Sequence, residues 1–305
     1  MKQDIHDVII IGGGPAGCNA AIVLARSRRS VLIIDEGKQR NLRSQGMHNY
    51  LTRDGVLPTD YIAMAHKELN SYKIPILQAR AIKARMLATH GFEVIDNQGN
   101  KHLCRRLLMA TGVTDKIPDI PGMKELWGCG VYHCPFCDGW ECHKQPIGLY
   151  ARDYNGYGMA QALQHLSGDV ILFTDGRQYL KPNQKAHLKA LGIKVVAQKV
   201  KELAIENKKL LGVVLENGEL VPLASMFVEH GHIVNDDLLK QLGCNCTNKG
   251  AAITNRQQRT SIPGLYVAGD AAFDIHFVIV AAAEGAKAAV AIHNDLLKTD
   301  NLEYA

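Results

Sequence analysis

The pattern Gly12-x-Gly14-x-x-Gly17 sits in the run "DVIIIGGGPAGCNAAIVLARS", between a continuous apolar segment and an alanine-rich one. No other feature constrains the fold as tightly. An unbroken apolar run bounded by glycine reads as a strand buried on both faces, and such strands belong to parallel sheets. Gly12 then permits a tight turn, Gly14 lets the backbone approach a pyrophosphate, and Gly17 lets helix and strand pack closely. The helix N-terminus favours the phosphate charge, and Pro15 and Ala16 are counted with this cofactor-binding turn. The next strand, "SVLIIDE", ends in Asp35 and Glu36, placed to take a ribose hydroxyl pair. Asp35 fits better, because it directly follows "VLII". The expectation is a dinucleotide site on an α/β fold.

At 305 residues the chain is too long for one ordinary core and suits two domains. "LLMATG" (107 to 112) is another apolar strand ending in a turn, and "DKIPDIPG" marks a domain crossing. A second alternating unit follows. It holds the strand "PIGLY", the helix "GMAQALQHLS", the strand "DVILFTDG", the helix "NQKAHLKALG" and the strand "IKVVAQ". The hairpin "KELAIENKKLLGVVLENGELV" comes next, with an Asn-Gly turn. After Cys246, "SIPGLYVAGD" reads as a strand with an acidic end, and "VIVAAAEGAKAAVAIHNDLL" as a helix packed closely on a sheet. The predicted fold is α/β, with two Rossmann-like nucleotide-binding domains of three-layer ββα type, the second inserted in the first. The boundaries read as 1–117 with 246–305 for the first domain and 118–245 for the second.

An apolar fraction of 47% and a charged fraction of 21% describe a globular chain. Net charge is +5, without a long basic run, so Arg26-Ser27-Arg28-Arg29 and Arg105-Arg106 read as solvated faces and not nucleic-acid contacts. A mildly basic surface suits an acidic protein partner. The apolar stretch "FVIVAAA" stops at Glu284, far short of a membrane span, and Asp4 and Asp7 break any signal-peptide pattern. A cytoplasmic protein with no membrane or nucleic-acid partner is expected. There, eight cysteines favour free thiols plus one working redox pair.

That pair is Cys134-Pro135-Phe136-Cys137. Two intervening residues let it close a small ring when oxidised. Its thiolates need a neighbour that lowers their pKa or moves their proton; Asp138 follows immediately and His133 precedes. Zinc is the rival reading, since Cys129, His133, Cys134, Cys137, Cys142 and His143 crowd fifteen residues. A closed zinc site normally adds a second, similarly spaced pair, so no metal is expected. Cys142 and His143 read as loop residues, and Cys18 and Cys104 as small core residues. Cys244 and Cys246 alternate on a strand-like stretch, which would aim their side chains to opposite faces.

"LLMATG" and "GLYVAGDAA" resemble the later signatures of FAD-binding disulfide reductases, which makes FAD the implied cofactor. In that family the aspartate of "GD", here Asp270 after Gly269, bonds the ribityl chain; Ala110, Thr111 and Gly112 fall in the other signature. With Cys-x-x-Cys-Asp-Gly placed just before the second strand–helix unit, nearly the whole chain is similar to low-molecular-weight thioredoxin reductases. The resemblance implies that Cys137 lies next to the flavin, that Cys134 exchanges with a substrate disulfide such as thioredoxin's, and that Asp138 donates the proton. It also implies a homodimer. His48 and Asn49, in "GMHNYLTRDG", fall where the family loop approaches the flavin, and Tyr304 could stack on it. After Asp270 the family carries an Arg-Gln pair, whereas this chain has "HFVIV", His276 to Val280. "CDGWE", with Trp140 and Glu141, resembles the branch with atypical electron partners, including fungal dithiol oxidases and cyanobacterial reductases without a nicotinamide site. The oxidases commonly have histidine where this chain has Asp138.

The second nucleotide turn is the main departure. In "PIGLYARDYNGYGMAQAL", five residues separate Tyr150 from Gly156-Tyr157-Gly158, and Gln161 stands at the third glycine position. Tyr154 and Tyr157 add bulk, and Asp153 adds charge of the wrong sign. Downstream, "FTDGRQYLK" offers only Arg177 for a 2′-phosphate, with Asp175 at the strand end. The leading expectation is a lost NADPH site and a ferredoxin-like electron donor. NADH held through Asp175, and NADPH itself, remain open. Two further readings stay beside it: a dithiol oxidase that discharges electrons to oxygen, and a flavin-bound redox sensor or scaffold without turnover.

Overall fold

The computed structural model describes residues 5–88, 91–272 and 275–303; Tyr304 lies outside them. The chain begins β1 (Ile5–Ile11), α1 (Pro15–Arg26), β2 (Val31–Asp35), α2 (Pro58–Ser71), β3 (Ile76–Gln78), β4 (Ala81–Leu87), β5 (Gly91–Asp96), β6 (Lys101–Met109) and β7 (Val113–Asp115). It continues through α3 (Met123–Leu126), β8 (Val131–Tyr132), α4 (Pro135–Asp138), β9 (Ile147–Ala151), α5 (Asn155–Ser167), β10 (Val170–Phe173), α6 (Pro182–Ala190) and β11 (Lys194–Val196). Then come β12 (Val200–Glu206), β13 (Lys209–Leu215), β14 (Leu220–Pro222), β15 (Ser225–Glu229), β16 (His232–Val234), α7 (Asp237–Gln241), β17 (Leu265–Val267) and α8 (Val278–Glu303).

Two compact units result. The first comprises 1–42, 58–114 and 233–305; the second comprises 43–57 and 115–232. In the first, β3, β2, β1 and β6 run parallel, and β17 extends the parallel set from β6. Strand β6 does two jobs: Lys101–Cys104 pair antiparallel with β5, while Leu107–Met109 pair with β17. The C-terminal ends of β1, β2, β6 and β17 therefore share one edge, where open α/β sheets bind ligands. One face of the sheet carries α1 and α8 over Val8, Ile10, Ala20, Leu24 and Ile292, all fully buried or nearly so.

The second unit repeats the scheme with β11, β10, β9, β15 and β8, all parallel. The antiparallel sheet β12–β13–β14 covers one side through Leu203, Val213 and Leu215, while α5 and α6 cover the other through Ala160, Leu163 and Leu188. The fold is thus α/β with Rossmann-like parallel layers.

Three details differ from the sequence reading. The return crossing falls at Ile233 and not at 246, because Leu238 and Leu239 of α7 are buried in the first unit's core. Residues 43–57 group with the second unit. Cys244 and Cys246 lie outside any strand, and both pack against the same core cluster, so they do not point to opposite faces.

Candidate functional site

The first turn is built for an anion. Gly12 has φ +106°, and a Cβ there would lie 2.2 Å from the Ala110 carbonyl oxygen, so only glycine lets the turn lie against the end of β6. A Cβ on Gly17 would lie 1.9 Å from the Gly12 carbonyl oxygen, which sets how closely α1 meets the turn. Gly14, by contrast, faces open space, with nothing nearer than Gln39 Cγ at 3.9 Å. Gly14 caps α1 without a side-chain hydrogen bond, Pro15 takes the next position, and the first turn holds no acidic residue. The free N–H groups and the positive end of the helix dipole are left for a ligand's phosphates.

Asp35 ends β2, where its carboxylate accepts the Gly13 N–H at 2.9 Å and the Gln39 amide at 2.9 Å. Glu36 is more exposed and pairs with Lys38. On the other side of the same edge, Ala110 donates its N–H to Ile11 and Ala268 donates to Met109. Thr111 and Gly112 are tied to Asn235, which receives the Thr111 hydroxyl and donates to both carbonyls. Gly269 (φ +76°) donates its N–H to buried Glu284 at 2.7 Å. Asp270 accepts from Arg40 at 3.2 Å, and His276 Nδ1 lies 3.0 Å from the same guanidinium. Gln39, Arg40 and Glu284 were not singled out in the sequence, because nothing in their spacing marks them. Cys18, donating to the Gly13 carbonyl, has its thiol pushed up to about 12 by burial and by Asp35, which leaves it chemically quiet.

The second turn is built differently. The Asn155 N–H, at the start of α5, donates to the Asp153 carboxylate at 2.9 Å. A Cβ on Gly156 would meet the Tyr179 hydroxyl at 2.5 Å, and that hydroxyl donates to the Ala151 carbonyl. Asp175 accepts the Tyr150 hydroxyl at 2.9 Å and the Val200 N–H at 3.1 Å, with Arg152 3.5 Å away. A groove of about 630 Å³ lies beside these residues, lined by Arg152, Arg177, Lys199 and His230 among others. His230 is held below the usual imidazole range, by burial first and by Arg152 and Lys116 next.

Cys134 and Cys137 are joined as a disulfide, with Cα atoms 5.3 Å apart. Cys134 precedes the single turn of α4, and the Cys134 carbonyl accepts the Cys137 and Asp138 N–H groups. Gly139 fixes this turn, since a Cβ there would collide with the Pro135 carbonyl and with Leu166 of α5. Asp138 is half-buried, and its carboxyl is pushed up to about 7: burial is the main cause, the Glu141 carboxylate adds to it, and His48 opposes it. His48 and Asn49, assigned to the flavin from sequence, stand against this turn, where Asn49 donates its amide to the Phe136 carbonyl at 2.8 Å. That contact spans 87 residues of chain, and no local pattern announces it. Among the described residues, no group of three or more His, Cys, Asp or Glu side chains stands together to hold a metal ion, and no helix is long and apolar enough to cross a membrane.

An open glycine cradle on one Rossmann-like unit and a Cys-x-x-Cys disulfide beside a high-pKa acid on the other define a class: flavin disulfide oxidoreductases with FAD as cofactor. The residues fit that group: Gly14 leaves open space before the uncapped N-terminus of α1, and Asp35 and Asp270 flank the same edge. Residues 6–285 match the pyridine nucleotide-disulphide oxidoreductase family, and the chain belongs to it. It is 31% identical to a probable thioredoxin reductase of Arthroderma benhamiae, over 95% of this chain and 80% of that one. The crystal structure of HlmI superposes with a TM-score of 0.95 at 32% identity, covering 99% of this chain and 97% of that one. A putative thioredoxin reductase from Bacillus anthracis does so at 0.92 and 28%, covering 97% and 99%.

Proposed function

We propose that this enzyme passes electrons from FAD to the Cys134–Cys137 pair, and from there to thioredoxin or a similar protein disulfide, with a donor other than NADPH. A ferredoxin-like protein is the donor favoured by the basic surface. The observation that carries the donor assignment is the Asp153 carboxylate on the Asn155 N–H. A dinucleotide's pyrophosphate would need that same N–H end of the helix, and a fixed carboxylate there repels it. Asp175 is engaged by Tyr150 and Val200, with Arg152 3.5 Å away, so an NADH ribose would have to share a carboxylate already tied to three neighbours.

FAD, when bound, supplies the two electrons that reduce the dithiol. The rest belongs to the chain's own side chains. The Cys134 thiolate attacks the partner's disulfide, so that one mixed S–S bond forms as the partner's breaks. The leaving partner thiolate takes a proton, which Asp138 can hold and give because its carboxyl titrates near neutrality. The Cys137 thiolate then attacks Cys134 sulfur, closing the enzyme disulfide and releasing the second partner thiol. Two electrons and two protons leave the enzyme with the two partner thiols. Asp138→Asn should slow the exchange steps, and Cys134→Ser should abolish them while leaving flavin reduction by an external one-electron donor intact.

A pyridine-nucleotide donor has one observation in its favour, the groove with Arg152, Arg177 and Lys199. Anaerobic mixing decides. Reduced ferredoxin should bleach the visible flavin band rapidly, and NADPH and NADH should not; rapid bleaching by either nucleotide overturns the donor assignment. Bleaching by a dithiol alone, with oxygen consumed on return to air, identifies the oxidase direction instead. No bleaching by any donor leaves a sensor. The resemblance also supports a homodimer, which solution mass measures directly.

A further inference from the structure

The loop from Met47 to Val56 is closed on itself. Met47 donates its N–H to Val56 and receives that of Gly55, while Asp54 accepts the Asn49 N–H at 3.1 Å. Asn49 and Thr52 both adopt left-handed backbone, at φ +64° and +74°. For a β-branched residue such as Thr52 that conformation is costly, and such strain persists where the surroundings over-determine it. The closed loop sets one side chain in place. His48 is mostly buried, with Nδ1 3.4 Å from Asp54 and Nε2 3.5 Å from Glu141. Glu141 in turn lies three residues beyond Asp138, in the turn that follows α4.

We infer that His48 and Glu141 are positioning residues which together set the protonation of Asp138, the proton carrier of the dithiol. The inference rests on the proposed role of Asp138. The groups facing Asp138 make up a short inventory. Glu141 and Cys142 come from its own turn, Tyr132 from β8 and His48 from the closed loop. From α5 the contact near the turn is the apolar Leu166. Tyr132 and Cys142 are themselves pushed up by burial and stay neutral near pH 7. Among the described residues, the Glu141 carboxylate and, when protonated, the His48 imidazole then act on Asp138 with opposite signs. A carboxylate neighbour favours the protonated acid, and an imidazolium favours the carboxylate. His48 also neutralises Glu141, and Asp54 holds the imidazole from behind. The two neighbours thus pull the Asp138 equilibrium in opposite directions.

The test reads Asp138 through its neighbour. The holoenzyme is reduced, and iodoacetamide alkylation of Cys134 is followed by peptide mass across a range of about pH 5 to 9, since a carboxylate beside a thiol raises the thiol's pKa. The parent should show an inflection from Asp138, and Asp138→Asn should lose it. Glu141→Gln should move the inflection to lower pH and His48→Gln to higher pH, each by roughly half a unit to one unit. Opposite shifts cannot come from general loosening of the loop, which would move both variants the same way. If Asp138→Asn removes the inflection but neither other variant moves it, or both move it alike, this inference is wrong and the role of Asp138 stands. If Asp138→Asn leaves the profile unchanged, the role of Asp138 itself falls.

Discussion

Gly17→Ala sets two effects of opposite sign against each other. Gly17 lies inside α1, where alanine is the better helix former by about 1 kcal/mol. Against that, the new Cβ would lie 1.9 Å from the Gly12 carbonyl oxygen and 3.3 Å from Ile10 Cγ2. Real Cβ atoms essentially never come closer than 3.0 Å, so turn and helix must part by 3.0 − 1.9, about 1.1 Å. The obstructing atom is backbone and cannot swing aside. Behind α1, a Cβ on Gly285 of α8 would already meet the Ala16 carbonyl at 2.1 Å, so the helix has little room to retreat. Overpacking of this kind costs roughly 1–3 kcal/mol and more when backbone must shift, so the clash wins, with a net loss of about 2 kcal/mol. At about 2–4 °C per kcal/mol this lowers Tm by about 4–8 °C. Because the displaced oxygen belongs to Gly12, the cradle moves too, and the flavin-to-protein ratio of the purified variant should fall. Gly158→Ala is the control: Gly158 is exposed in α5 with nothing within 4 Å of its Cβ position, so propensity acts alone and Tm holds or rises. Calorimetry and the visible flavin band measure both variants. If Gly17→Ala raises Tm alongside Gly158→Ala and keeps full flavin, the close approach of Gly12 and Gly17 does not shape the site.

Three further outcomes follow from the same structure. Asp153→Ala removes the carboxylate from the Asn155 N–H, and the lost cap should cost about 1 kcal/mol, seen as a lower unfolding midpoint. In acid, Asp96 should fail early. Burial works against its charge, but bonds from His102, Asn100 and Gln98 outweigh that and hold it at about 2, against an ordinary 3.8. Its contribution is present above about pH 4 and is lost as pH falls from there towards 2, so Asp96→Asn should flatten that part of the urea midpoint's pH dependence. Thiol labelling of the native, reduced enzyme at about pH 8 should modify Cys134 and leave Cys18 and Cys104 untouched, because burial pushes both of the latter up to about 12.

Legibility in the sequence followed the strength of local pattern. The stretch β1–turn–α1–β2 could be read residue by residue, since Val8–Ile11 and Val31–Asp35 are buried on both faces and the glycines have no other use. Strands β9, β10 and β11 and the Asn-Gly hairpin of the second unit were equally plain, whereas β8 and β15 of the same sheet went unread. Helix α2 was missed because it buries only Pro58 and Leu69, so its apolar period is faint. Strand β4 buries Ala84 alone and carries little signal. The site divides in the same way. The dithiol and the glycine cradle are local motifs and could be found. His48 and Asn49 reach the segment around the dithiol through contacts between distant stretches of chain, which a single sequence does not encode in any period.

The two turns of this chain carry a common fold with opposite provision for an anion, and the packing explains how the second could change without unfolding the unit. In α5 the buried residues are Gly156, Ala160 and Leu163, which face β9 and β10, whereas Asp153, Tyr154 and Asn155 are exposed. Ligand chemistry at that turn is therefore carried by residues the core does not need. The dithiol does need α5, because Gly139 turns beneath Leu166 and Cys142 is buried behind it. Losing the helix would release the Cys-x-x-Cys segment, while losing the phosphate cradle costs only a ligand. Asp153 offsets even part of that loss by capping the helix end that a pyrophosphate would otherwise have satisfied. On the proposed reading, an internal carboxylate at this helix end stabilises the free enzyme and makes nucleotide binding a competition with a covalently attached anion. Asp153→Asn keeps the hydrogen bond and removes the charge. It should leave unfolding nearly unchanged, and any gain in nucleotide affinity it brings would measure the electrostatic part of that competition directly.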